Sequence, residues 1–238
     1  MSARFGIYYV PREYSELALF GAHWLGWDIH HAAKVILTPF GDFSQGDRRA
    51  LVERPSKYGF HATLKAPFRL ASGTTEDALL AHTKQLADRR AVPRPFAFEL
   101  TRLGRFFALT ACKIQPGIGA LAEACVKELD ALRSPLTEQE LQYRRRERLT
   151  KRQSKLLDRW GYPFVLEEYR FHLTLTGQLD AVAAARVEPA LSRKIASIQS
   201  SNIAVDAITV VRQDSAGTPF RVIESFSLRS NEEATQTL

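Results

Sequence analysis

Phe60-His61-Ala-Thr63-Leu64 and Phe171-His172-Leu-Thr174-Leu175 share one pattern: an aromatic residue, then His-x-Thr, then leucine. Six histidines and fifteen threonines in 238 residues would give roughly 0.4 His-x-Thr triplets by chance. Two copies with matching flanks therefore read as a repeat. Both sit in short stretches of strand-forming residues, and residues i and i+2 of a strand share a face, so each histidine looks the same way as its threonine.

Working outward, each string opens the same succession of elements. The His61 strand (59–65) leads to a helix (75–89) and two strands (96–103 and 106–114). The His172 strand (170–176) leads to a helix (180–197) and two strands (203–213 and 219–228). Strand-helix-strand-strand thus occurs twice. The expected fold is α+β: bilobal, with duplicated halves whose two antiparallel sheets flank a central cleft, plus a helical insertion. Residues 1–238 form one domain, with lobe one at about 56–116, the insertion at about 133–165 and lobe two at about 166–230.

The N-terminal stretch 4–10 reads as a strand packing on one of the sheets, followed by a helix from about Glu13 to Trp24. The region 26–55 is broken by Pro39, Gly41 and Gly46 and reads as a surface connection with one short helix, Gln45 to Val52. Residues 117–132 read as a helix. Thr137-x-x-Glu140 and Thr150-x-x-Gln153 are capping boxes, which place insertion helices at 138–148 and 151–160.

The apolar fraction of 45% supplies a core, and the net charge of +7 favours an anionic partner. No apolar run is long enough for a membrane span, and the opening residues lack the layout of a secretory signal, so the expected location is the cytoplasm. Cys112 and Cys125 have no zinc-type spacing and read as ordinary buried thiols.

Two facing imidazoles can serve as base and acid at one phosphoryl centre. An unperturbed pKa near ~6.5 leaves one neutral while the other is protonated. Threonine hydroxyls beside them can donate to phosphoryl oxygens, and this chemistry calls for neither metal nor other cofactor. The candidate catalytic set is His61, Thr63, His172 and Thr174. Candidate substrate contacts are Lys65, on the His61 face by alternation, Tyr8 from the first strand, and Tyr58 beside the His61 strand. Arg144 and Arg148, four apart on the insertion helix, could clamp a second phosphate. His23, His30, His31 and His82 read as surface or packing residues, and neither His30 nor His31 has carboxylate or Cys neighbours at ligand spacing.

The paired motif resembles the 2H phosphoesterase superfamily of RNA ligase-like cyclic phosphodiesterases. Longer strings narrow the likeness: Trp24-Leu-Gly26, Tyr58-Gly-Phe-His61-Ala-Thr-Leu-Lys65-Ala-Pro-Phe-Arg69, Arg159-Trp-Gly-Tyr-Pro163 and Tyr169-Arg-Phe-His172-Leu-Thr-Leu-Thr-Gly177. They resemble a DUF1045-like branch associated with bacterial phosphonate metabolism. The resemblance implies a metal-independent hydrolase opening a sugar cyclic phosphate, 5-phosphoribosyl 1,2-cyclic phosphate, to a ribose bisphosphate. The alternatives are a 2′,3′-cyclic phosphodiesterase acting on RNA or nucleotides, and a non-catalytic nucleotide- or RNA-binding module. The implied partner is a phosphorylated small molecule, with RNA second and no membrane; the sequence is silent on oligomeric state.

Overall fold

The computed structural model describes residues 3–145, 148–198 and 202–230. Strand β1 (Arg4–Tyr9) is followed by helix α1 (Glu16–Leu25), capped by the Ser15 hydroxyl and closed by Gly26 in the left-handed region. A ribbon of β2 (Trp27–Asp28) and β3 (Ala33–Lys34) then precedes α2 (Gln45–Ser56). Two-residue strands carry no readable alternation, which is why this stretch reads from sequence as irregular.

Helix α2 continues past the expected end at Val52 through Pro55. Proline has no N–H for the carbonyl four residues back. That carbonyl, on Leu51, accepts instead from the Gly177 N–H at 2.8 Å. Pro55 thus frees an acceptor that ties α2 to the segment beyond His172.

Next come β4 (Ala62–Phe68), α3 (Glu76–Asp88), β5 (Phe98–Leu103) and β6 (Phe106–Ala111). The intervening helices are α4 (Pro116–Glu128), α5 (Glu138–Arg145) and α6 (Lys151–Trp160), followed by β7 (His172–Thr174), α7 (Ala181–Ala196), β8 (Ala207–Gln213) and β9 (Arg221–Ser227). Both expected capping boxes form, at Thr137/Glu140 and Thr150/Gln153. The last stretch expected of α5 includes residues 146 and 147, which lie outside the described residues.

The α+β class holds, and the named strands pair antiparallel, in a four-stranded sheet of order β4-β1-β8-β9, a three-stranded sheet β5-β6-β7 and the small ribbon. The element order within each half is the one read from sequence, but the sheets do not follow the halves. Strand β4 joins the later hairpin β8-β9 through β1, while β7 joins the earlier hairpin β5-β6. Each sheet is therefore completed by a strand from the other half. The strands carrying His-x-Thr are an edge of each sheet, and β4 and β7 touch without pairing.

Ala62, Leu64, Leu173 and Leu175 are buried, as alternation requires, in a main core shared by both sheets. Helices α3 and α4 contact the larger sheet and α7 contacts β5. Helix α5 buries nothing, and α6 buries Leu156 and Leu157, with Leu156 joining Val126 and Val165 in a small satellite cluster. Cys125 is buried in the core, whereas Cys112 corrects the expectation: it follows the end of β6 and is exposed. No helix among the described residues is long and apolar enough to cross a membrane.

Candidate functional site

The approach to His61 is set by two glycines. Gly59 has φ +72°, and a Cβ there would meet Ile29 Cβ at 2.7 Å. Gly21 in α1 leaves room for the Phe60 ring, which a Cβ would strike at 2.2 Å. With Phe60 fixed against α1, the chain turns at Gly59 and presents the Gly59 carbonyl to His61 Nδ1 at 2.9 Å. The second motif repeats this contact: His172 Nδ1 lies 2.8 Å from the Arg170 carbonyl. A carbonyl only accepts, so in both rings Nδ1 carries the hydrogen and Nε2 of the neutral imidazole is the acceptor. The Thr63 hydroxyl lies 3.1 Å from His61 Nε2.

Tyr8 pairs with Thr63 across β1 and β4, and its ring stacks on His61 at 3.8 Å between centroids and 20° between planes. Tyr9, on the opposite face, enters the main core beside Phe171. The site-facing tyrosine is therefore Tyr8.

A cleft of about 460 Å³ is lined by His61, Thr63 and Thr174, with Tyr58, Phe106 and Thr176 among its other walls. His172 is not among the residues lining it, but lies next to one of its walls, its ring 5.9 Å from that of Phe106. Burial above all lowers the pKa of His61 from the usual 6.5 to about 4, against the Gly59 carbonyl, which raises it, and with the nearby His172 adding to the lowering. Burial also lowers that of His172. This corrects the expectation of unperturbed imidazoles: near neutral pH both rings are uncharged. They are proton acceptors as they stand. An anion placed between them would favour their protonated forms.

Lys65 departs from its expected position. The β1–β4 register shifts between Ile7/Lys65 and Tyr8/Thr63, giving β4 an extra residue and breaking the alternation after Thr63. Lys65 turns instead into the protein, 3% exposed, donating to the Val126 carbonyl at 3.0 Å and lying 3.6 Å from Asp130. Tyr58 does line the cleft, stacked on Phe220 at 5.5 Å. Strand parity does not apply to it, because the left-handed turn at Gly59 lies between Tyr58 and the strand.

Arg144 lines a second cavity, beside Tyr162, whereas Arg148 is exposed and lines neither cavity. Arg54, Thr176 and Phe106 are further walls of the cleft beyond the sequence candidates. Thr176 shares the strand parity of His172 and Thr174, whereas Arg54 arrives from α2 with no local signal. His31 does have carboxylate neighbours, Asp28 at 2.9 Å and Glu13 at 3.0 Å, forming an exposed ion-pair cluster on the β2-β3 turn. Among the described residues, no three or more His, Cys, Asp or Glu side chains are grouped to hold a metal ion.

Gly59→Ala tests the local geometry. The left-handed backbone and the contact with Ile29 together predict a loss of about 2 kcal/mol, read by urea unfolding. The His61 ring should also lose its fixed acceptor, seen as a changed imidazole titration by NMR. An unchanged titration would show that the turn does not position His61.

A family profile described as a protein of unknown function, DUF1045, matches residues 63–221. The chain belongs to this family. Ribose 1,5-bisphosphate phosphokinase PhnN of Janthinobacterium sp. (strain Marseille) is 37% identical over 221 residues, 91% of this chain and 49% of that protein. The protein of the same name from Laribacter hongkongensis (strain HLHK9) is 39% identical over 181 residues, 75% of this chain and 41% of that protein. This DUF1045 chain thus spans about half or less of the length of the curated relatives it matches. Their name, a phosphokinase, overturns the expectation of a phosphoric diester hydrolase opening a cyclic phosphate. Neither the RNA-end diesterase nor the nucleotide- or RNA-binding module matches that name.

Proposed function

We propose that this chain supplies a binding site for a phosphorylated pentose of the ribose bisphosphate class. In this reading His61 and His172 are paired proton-transfer groups at a phosphoryl group, and Thr63 and Thr174 are donors to its oxygens. The observation that carries the reading is the matched geometry of two imidazoles on touching edge strands, each aligned by Nδ1 on a carbonyl two residues back. We assign this arrangement to the 2H type, and its place to the phosphonate-linked branch, on the strength of the quoted strings.

The relatives' name supports the substrate class. The chain contains no G-x-x-x-x-G-K-[ST] string for cradling nucleotide phosphates. Its cleft is built from imidazole, hydroxyl and aromatic groups, which suit a phosphorylated sugar.

The test is calorimetric titration of the whole chain with ribose 1,5-bisphosphate, alongside NMR titration of the two imidazoles. Binding should raise both imidazole pKa values. His61→Ala and His172→Ala should each weaken affinity at least about tenfold, the range of a charge-assisted hydrogen bond. Absence of binding by the unaltered protein, or full affinity in both variants, would overturn the assignment.

A further inference from the structure

Beside the histidine cleft lies a cavity of about 760 Å³ whose lining among the described residues includes four arginines, Arg4, Arg54, Arg69 and Arg144, and a single carboxylate, Glu140. The two cavities share Arg54 and Tyr58 as walls. Glu140 is already committed. It holds Arg69 through both oxygens and also accepts from the Thr137 N–H and hydroxyl, which keeps its carboxyl ionised down to about 2. The Arg69 charge is thereby cancelled, whereas among the described residues Arg4, Arg54 and Arg144 have no carboxylate partner.

Each remaining guanidinium is arranged to take an anion. Arg4 is held by a neutral acceptor, Gln213 Oε1, at 2.8 and 2.6 Å from Nε and Nη2, which fixes its plane and leaves Nη1. Arg144 stacks over the Tyr162 ring at 5.4 Å, an arrangement that orients the plane and leaves edge N–H groups for a bidentate acceptor. Arg54 projects from the last turn of α2 between the two cavities. Among the described residues neither Arg54 nor Arg144 has a carboxylate partner. Nearby, the Tyr8 hydroxyl is fully buried without a hydrogen-bond partner, in the field of Tyr58, Arg4 and Tyr162, all of which line this cavity.

We infer that the arginine cavity is the anchor for the second phosphate of a bisphosphorylated pentose whose first phosphate lies between the histidines. This rests on the reading proposed above and adds the feature that separates bisphosphates from monophosphates. Three guanidinium groups without a carboxylate partner among the described residues match a phosphomonoester dianion, and the shared wall at Arg54 and Tyr58 lets one sugar span both.

Phosphorus NMR of ribose 1,5-bisphosphate titrated with the protein tests this, because its two phosphorus nuclei report separately. With the unaltered chain both signals should shift. In the paired variant Arg54→Gln/Arg144→Gln affinity should fall at least about tenfold, and at saturation the perturbation of one phosphorus should be selectively reduced. In His61→Ala the other should be reduced. The lysine pair Arg54→Lys/Arg144→Lys keeps the charge but loses the planar fork, so it should bind more tightly than the glutamine pair and less tightly than the unaltered chain, which guards against misfolding of the glutamine pair. Arg145→Gln, on the same helix but paired outward with Asp158, should leave both signals as they are. If neither signal shifts with the unaltered protein, the pentose reading itself fails and the anchor with it. If both shift and the glutamine pair binds as tightly, or diminishes both signals equally, the anchor is overturned while the histidine site stands.

Discussion

Acidification from pH 7 to pH 4 is expected to remove on the order of 3 kcal/mol of stability through His61 alone. The folded protein lowers this imidazole from 6.5 to about 4 by burial. Between those two values the unfolded chain takes up a proton that the folded chain refuses, so stability falls as pH falls through this window. The loss is complete once the pH is below about 4, where both states are protonated. His172 adds an effect of the same sign, since burial lowers it too.

Glu140 titrates in a lower window. Its ion pair with Arg69 lowers its pKa from 4.5 to about 2, so its contribution is present above the unfolded value and is lost as pH drops from there. Urea unfolding of the unaltered protein and of His61→Asn, from pH 7 to pH 4, isolates the imidazole: the variant should show the shallower dependence. Equal slopes would mean that His61 is not held neutral by its surroundings. A phosphorylated ligand should oppose the trend, because a dianion beside the ring favours the protonated form.

Lys65→Ala is expected to cost about 3–5 kcal/mol, from the void left by its buried stem and the loss of a donor to a buried carbonyl, with no loss of phosphate affinity in the molecules that remain folded. Burial pushes this ammonium down to about 8 despite the attraction of Asp130, so it stays charged at neutral pH. Removing it leaves the buried Val126 carbonyl without this donor and opens a void beside Phe68, over which Nζ lies at 5.4 Å. Lys65→Met keeps most of the stem. Asp130 retains Arg133 at 2.9 Å and Arg159 at 2.8 Å, so this variant should lose only about 1–2 kcal/mol. Chemical unfolding of both variants, with calorimetry on the folded fraction, decides the matter. An alanine variant of unchanged stability but weakened ligand binding would return Lys65 to the cleft.

The contrast between Lys65 and Thr63 shows what the sequence could and could not reveal. Period-two alternation correctly joins His61 to Thr63, which are 3.1 Å apart at the contact. It fails one step later because a register shift depends on the partner strand. The bounds of α6 follow from its capping box and from Gly161, both local signals. Which strand lies beside which is not local: β7 pairs with β6 and β4 with β1, and nothing within His-x-Thr specifies that exchange. Arg4 and Arg54 are equally illegible, because only tertiary packing carries them from the first strand and the second helix to one cavity. The lowered imidazole pKa values follow from burial by residues such as Tyr8, whose stacking partner no spacing rule identifies.

The exchange of strands separates aim from aperture. Each imidazole is aimed by a contact inside its own segment, while the gap between the two depends on β4 and β7, which belong to different hydrogen-bonded sheets and merely touch. Packing in the core shared by both sheets, not a ladder hydrogen bond between β4 and β7, therefore sets that gap. A substitution in that shared core would thus change the spacing of the two nitrogens while leaving the direction of each ring to its own segment.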